Sequence, residues 1–204
     1  NNKIVGAVET SSLRTSDDAI ILGNGTTAGA EAVSIGKNAG DSGDYSQAIG
    51  NNAGNTGQGV AAVALGSQSG ETSQGDKAVA VGQYAGQTSQ GSRAIGIGVD
   101  AGKTSQGADA VAIGNSTGSD TQGASAVAVG PATGTLNQGA SAVAIGFNAG
   151  VSSQGARSVA IGEYAGQAAQ AANSIVLNAT GNVLNNTTAS SLVVKPIRSA
   201  VGTT

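Results

Sequence analysis

Carboxylates are the side chains of this sequence that could act as an acid, a base or a metal ligand. The chain has 204 residues without a His or a Cys, so the usual nucleophile–base pairs of enzymes are missing. The acidic residues fall at variable positions of different repeats and do not form a converging pair. The sequence therefore predicts solvated carboxylates and no enzyme, and the positions considered are Asp17, Asp18, Asp41, Asp44, Asp100, Asp109, Asp120 and Glu163.

Two further segments could bind a metal ion or a cofactor. Asp41-Ser42-Gly43-Asp44 offers hard oxygen ligands of the kind that hold Ca²⁺, but Asp, Ser and Gly are also turn formers, which favours a plain turn. Gly96-Ile97-Gly98 with Gly102 partly matches a dinucleotide-binding loop, yet Gly recurs in every repeat and no strand–loop–helix pattern follows. We therefore expect no cofactor and no metal.

These residues are carried by an internal repeat of 16 residues. An apolar run ending in Gly recurs without a slip from Ala62–Gly66 to Ser158–Gly162, and earlier copies are spaced 13 and 14 residues apart. A Gln column keeps the same register, and it comprises Gln58, Gln74, Gln90, Gln106, Gln122, Gln138, Gln154 and Gln170. Stacked amides can hydrogen-bond along a rod, so we interpret the column as a structural ladder, with a ligand surface as the alternative.

The repeat predicts an all-β fold, a parallel β-solenoid or β-roll. Side chains alternate within each apolar run, β-branched residues suit a strand, and the Gly columns suggest corners. About ten coils stacked at the strand spacing of about 4.8 Å give a rod about 50 Å long. We divide the chain into a lead-in or cap at 1–18, the solenoid at 19–178, and a C-terminal cap or linker at 179–204.

The composition predicts a thin core. Aromatic residues are 2% and charged residues 10% of the chain, against about 25% charged in ordinary globular proteins. We expect the Val and Ile columns, including Ile113 and Ile145, to point into each coil. The alternate Ala face then remains for association with other chains, and three closely packed copies would bury both faces.

Charge and hydropathy exclude two classes of partner. The net charge of −3 provides no footprint for nucleic acid, and no apolar run reaches the roughly 18 residues of a membrane span. The positions after each strand-ending Gly vary most, which is typical of exposed loops. Tyr84, Phe147 and Tyr164 lie there and could contact a host glycan or protein, although scattered surface aromatics are also ordinary.

The recurring S/A-V-A-I-G unit, as in Ser158–Gly162, resembles the head repeats of trimeric autotransporter adhesins. The longer unit with N-A-G and Q-G is similar to repeats in fibre and tail proteins of phages and large algal viruses. The segments 173–181 and 192–198 resemble the region before the self-cleaving intramolecular chaperone of such fibres. This resemblance implies an intertwined homotrimer, other virion proteins as partners, and a location on a virion or bacterial cell surface or outside the cell.

Two functions follow from the pattern and the resemblance. The first is a structural fibre or stalk of a virus particle, a rigid trimeric spacer that supports host attachment. The second is the head of a trimeric adhesin that itself binds a host surface or matrix. An enzyme such as a polysaccharide depolymerase is disfavoured, because the residues for cleft chemistry are missing.

Overall fold

The computed structural model describes residues 19–40 and 43–197, and these form a parallel β-solenoid. The predicted lead-in at 1–18 and the end of the chain at 198–204 lie outside the described residues. The strands are β1 Ile20–Leu22, β2 Val33–Ile35, β3 Gln47–Ile49, β4 Thr56–Gln58, β5 Val63–Leu65, β6 Thr72–Gln74, β7 Val79–Val81, β8 Thr88–Gln90, β9 Ile95–Ile97, β10 Val111–Ile113, β11 Val127–Val129, β12 Val143–Ile145, β13 Val159–Ile161, β14 Ile175–Asn178 and β15 Leu192–Lys195.

The main sheet has twelve of these strands and gives the rod its length. Each strand pairs in parallel with the strand one coil later, so that Val63 lies beside Val79 and Ala64 beside Ala80. A smaller sheet of β4, β6 and β8 forms a second side of the coil. The predicted all-β parallel solenoid is thus confirmed, and stacking at the strand spacing explains why like residues form vertical files.

The main sheet continues past residue 178, where the sequence suggested the solenoid would end. β15 pairs with β14 in register, with Val193 beside Val176. Val193 also packs against the buried cluster that contains Val176 and Leu184. The longer spacing before this last strand is accommodated by a turn-rich segment, so the break in the repeat pattern does not end the sheet.

The interior of the coil is lined by alanine, and the predicted inward position of Val and Ile is wrong. Ala112 is fully buried at the centre of its strand, whereas Ile113 is 38% exposed and Ile145 is 39% exposed. The reason is the thickness of the coil. A Cβ placed on Gly118, across the interior, would lie 3.3 Å from the Cβ of Ala112. The buried side chain of Gln122 also occupies the interior here, with its Oε1 2.9 Å from that Cβ, so the centre of the strand has room only for a small residue and Ile113 points outward.

The corners use positive φ angles at Gly and, repeatedly, at other residues. Tyr84, Arg93 and Ser89 adopt φ of 58°, 60° and 57°, and residues at the same place in neighbouring coils do likewise. Such angles are unfavourable for residues other than Gly. Hydrogen bonds between coils offset this cost, since the backbone N–H of Tyr84 donates to Ser67 O and that of Arg93 to Asp76 O.

The Gly that ends each main strand lies at a corner that restricts both the backbone angle and the space for a side chain. Gly114 has φ of +134°, and a Cβ there would lie 2.6 Å from Gly130 O. We expect Gly114→Ala to lower the free energy of unfolding by about 2–3 kcal/mol, because it combines backbone strain with a clash against backbone. Urea titration followed by circular dichroism measures this loss.

The control for this change is Gly57→Ser, in a looser corner. Gly57 has φ of +70°, and a Cβ there would come no closer than 3.5 Å to Ser73. Ser73, one coil later, has φ of +57°. We expect Gly57→Ser to change stability by less than about 1 kcal/mol. Equal losses for the two variants would show that the strand-ending Gly column is not a steric requirement.

Candidate functional sites on the solenoid

An outward-facing apolar stripe runs along the whole main sheet. We define it as the first and third residues of its first eleven strands together with Leu192 and Val194 of β15. Its members are Ile20, Leu22, Val33, Ile35, Gln47, Ile49, Val63, Leu65, Val79, Val81, Ile95, Ile97, Val111, Ile113, Val127, Val129, Val143, Ile145, Val159, Ile161, Ile175, Leu177, Leu192 and Val194. All except Gln47 are apolar, and none is charged.

The stripe forms one continuous apolar patch, with an area near the upper end of the range for a single chain. Twelve strands at about 4.8 Å span about 53 Å, and three residues of strand with their side chains cover about 10 Å, which gives a footprint of about 530 Å². The largest apolar patch on a typical monomer is about 300–600 Å² and is often functional. Two such faces brought together exceed the roughly 1,000 Å² expected of a biological interface. The stripe is therefore the strongest candidate for a binding surface.

An open groove marks the C-terminal end of the stripe. It has a volume of about 330 Å³ and is lined largely by Ile161, Leu177, Val194 and Pro196. Its lining is mostly apolar, and Ile197 beyond it is 76% exposed. The groove belongs to the same surface as the stripe and adds no separate chemistry to it.

The Gln column lies inside the coil and not on its surface. Each of its eight side chains is between 1% and 4% exposed, so none is available to a large ligand. The amide of Gln106 shows the pattern, because its Nε2 donates to Ile95 O at 2.8 Å and to Ala110 O at 3.3 Å. The same two contacts recur at Gln74, Gln90, Gln122 and Gln138. Each Gln thus closes its own coil across the interior.

Amides of successive coils also hydrogen-bond to one another. Nε2 of Gln74, Gln90 and Gln106 donates to Oε1 of the next Gln at 3.2, 3.1 and 3.1 Å. A second run joins Gln154 to Gln170 at 3.3 Å. Where no amide of the preceding coil donates, Oε1 stays buried without a partner among the described residues, as at Gln58, Gln74, Gln138 and Gln154. The geometry is that of an internal ladder with interruptions.

Asn186 extends this column by one coil, and the sequence pattern missed it. Its side chain is 4% exposed, and its Nδ2 donates to Ile175 O at 3.5 Å and Ser191 O at 3.3 Å. The separation of 11 residues from Ile175 equals that between Ile95 and Gln106. That offset was the available signal, but a shorter side chain and an irregular spacer concealed it.

The three aromatic residues that could contact a receptor lie at two separate places. The rings of Phe147 and Tyr164 meet edge to face with their centroids 5.6 Å apart, and Phe147 is 43% exposed. Tyr84 lies five coils from Tyr164, about 24 Å along the rod, where Lys103 Nζ sits 4.9 Å from its ring centroid. A further aromatic, Tyr45, is 52% exposed.

The carboxylates are dispersed along the rod. Asp109 accepts two hydrogen bonds from the Arg93 guanidinium at 2.6 and 2.7 Å, and this contact lowers the pKa of the Asp109 carboxyl. Asp100 pairs with Lys103 at 3.0 Å, and Asp44 Oδ1 accepts from the Ala30 N–H. Over 19–40 and 43–197, no three His, Cys, Asp or Glu side chains come together as metal ligands.

Four of the residues considered above lie outside the described part of the chain, namely Asp17, Asp18, Asp41 and Ser42. The segment 41–44, considered for Ca²⁺ but interpreted as a plain turn, is thus described only at Gly43 and Asp44. Among the described residues there is no helix long and apolar enough to cross a bilayer.

Comparison with known proteins finds no significant match to the chain. No protein-family model matches the chain, and neither a curated protein nor a solved structure matches it significantly.

Proposed function

We propose that the chain is a rigid structural segment of a homotrimeric fibre on a virion surface, a spacer that supports host attachment. The observation that carries this proposal is the apolar stripe, which runs from Ile20 to Val194 without a charged side chain. A continuous apolar surface of this kind marks a site of contact with another surface, which removes it from water. A further copy of the same chain offers an apolar surface with the same spacing between coils along the whole stripe.

The interior supports a mechanical role. Every coil is tied to its neighbours by parallel backbone pairing, and most are also tied internally by a buried Gln amide. Repetition of such units gives length and stiffness, with contacts only between neighbouring coils. Association of three copies would hide each stripe at a common axis. The number three comes from the resemblance of the repeats to trimeric fibres and adhesin heads.

An adhesin head on a bacterial cell surface is the second candidate. The edge-to-face pair of Phe147 and Tyr164 favours it, because exposed aromatic residues often anchor contacts to a glycan or a protein. Tyr84 lies too far away to join the same contact. In this case Phe147→Ala would weaken attachment to host cells while the assembled rod stays intact.

The stripe is tested by a charge placed within it. Ile113→Asp leaves the alanine interior untouched, but it brings carboxylates together wherever stripes meet. We expect the wild-type chain to be a trimer in native mass spectrometry, and Ile113→Asp to weaken assembly about 100-fold or more while the β circular dichroism is retained. Ile145→Asp should behave in the same way.

Leu136→Asp is the matched control. Leu136 is 42% exposed, close to the exposure of Ile113, but it lies on the opposite side of the coil from the stripe. We expect this variant to assemble like the wild type. A monomeric wild-type chain would refute the proposal, and so would equal assembly of Ile113→Asp and Leu136→Asp.

A further inference from the structure

The apolar stripe has a weakness as a specific interface, because it repeats. Coils recur at about 4.8 Å, and a copy displaced by one coil again places Val and Ile against Val and Ile. Such a shift loses the contacts of one terminal rung and little else. Uniform apolar surfaces therefore specify the register of an assembly poorly, and some other feature must select one register.

Gln47 is the exception within the stripe. It occupies the first position of β3, where every other strand of the main sheet carries Val, Ile or Leu. Its side chain is half-buried, and its Nε2 donates to Tyr45 O at 2.9 Å. Within the described ranges, no group donates a hydrogen bond to its Oε1, which therefore depends on water as long as the stripe is uncovered.

We infer that Gln47 sets the register of a parallel homo-oligomer, in which the Gln47 amides of all copies meet at one level. This inference rests on the proposed function, since it takes the stripe as the contact between copies. Side by side, the amides can hydrogen-bond to each other and replace the water that assembly removes. A single polar residue in a coiled-coil seam selects register in the same manner.

Other arrangements leave Oε1 of Gln47 without a partner. In a copy shifted by one coil, Gln47 meets the level of Val33 or Val63, which offers no polar side chain. In a fully overlapping antiparallel pair, β3 is third from one end of the main sheet and meets β13, so Gln47 faces Val159. Each alternative buries a polar group without a partner, and this cost separates the registers.

The second copy is the occupant that the stripe fits. It supplies an uncharged apolar face with the same spacing and length, and the joined footprint of about 1,060 Å² reaches the size of a specific interface. It also supplies the matching amide at the matching level. A partner with a different repeat could cover the apolar residues of the stripe, but its sequence would not place a polar group opposite β3.

Cysteine crosslinking tests the inference on a clean background, because the chain has no native Cys. Two single variants, Ile97→Cys and Ile113→Cys, place thiols one coil apart on the stripe. One of the two variants is isotopically labelled, and the variants are refolded together. A short thiol-specific crosslinker is then added. Mass spectrometry then compares crosslinks between equal positions with crosslinks between positions 97 and 113.

With Gln47 present, we expect crosslinks between equal positions to exceed the shifted ones by about 10-fold or more. With Gln47→Val, the ratio should fall to about 1–3 while assembly remains at least as stable, because an unpaired polar group has been removed. Gln83→Val is the control, since Gln83 is exposed and lies outside the stripe; it should leave the ratio unchanged.

The outcomes separate this inference from the proposed function. A preserved ratio in Gln47→Val, with assembly intact, overturns the role of Gln47 and leaves the homo-oligomer standing. Predominantly shifted crosslinks in the wild-type background overturn the equal-level arrangement. If native mass spectrometry detects only monomer and no crosslinks form in either background, the stripe is not a contact between copies and both proposals fail.

Discussion

Gln106→Glu is expected to lower the free energy of unfolding by about 3–5 kcal/mol at neutral pH, because it places an uncompensated carboxylate in the interior. The side chain of Gln106 is 2% exposed, and its Nε2 donates to the carbonyl of Ile95 and to Oε1 of Gln122. A carboxylate oxygen in that place would face three acceptors, since Nε2 also donates to Ala110 O. Urea denaturation of the variant across a pH series measures the loss.

The effect of Gln106→Glu should depend on pH with a definite sign. Burial raises the pKa of this carboxyl in the folded chain above its unfolded value of about 4.3. The folded state therefore holds its proton more tightly than the unfolded state. Below about pH 4 the charge penalty is absent, and it grows as the pH rises through the folded-state pKa.

Gln83→Glu makes the same chemical change on the surface and serves as the control. Gln83 is exposed, so we expect its replacement to alter stability by less than about 0.5 kcal/mol at any pH in the series. If Gln106→Glu proves as stable as Gln83→Glu at neutral pH, the Gln column cannot lie inside the coil as described.

Ala128→Leu is expected to destabilise the chain by about 3 kcal/mol or more, since Gly134 and the buried side chain of Gln138 leave no space for a larger residue at this position. Ala128 is fully buried, and a Cβ built on Gly134 across the interior would lie 3.2 Å from its Cβ. A leucine there must push the two sides of the coil apart and disturb pairing with the coils above and below. Thermal denaturation followed by circular dichroism provides the measurement.

The control for this change is Ala124→Leu in the same coil. Ala124 is exposed, so added methylene groups extend into solvent. We expect a change of less than about 0.5 kcal/mol. Comparable losses at positions 124 and 128 would contradict the thin alanine interior.

The repeat pattern located the Gln column of the first prediction, but it placed Ala128 of the second prediction on the outer face of its strand. The 16-residue period predicted short parallel strands stacked in register, and the pairing of Val63 with Val79 follows directly from it. It also predicted a stack of Gln side chains, and amides such as Gln90 and Gln106 do lie within hydrogen-bonding distance. A constant period places equal residues one above another, whatever the shape of the coil.

The corners were only partly predictable. Gly columns indicated positive φ, and Gly114 has it. The columns containing Tyr84 and Arg93 gave no such indication, because these residue types avoid that conformation in isolated peptides. Backbone hydrogen bonds from neighbouring coils hold them there, and this support exists only in the stacked structure.

The sequence by itself determined the fold class, the length of the coil and the identity of each vertical file. Only the tertiary structure decided which face of the main strands is inside. Strict alternation gives each main strand an Ala face and a Val/Ile face, and either face could line the interior. Hydrophobicity alone favours burial of the larger residues. The distance across the coil reverses that preference, because Ala112 and Gly118 leave no volume for Ile113 between them. That distance arises from the path of the whole coil, and no local pattern of residues contains it.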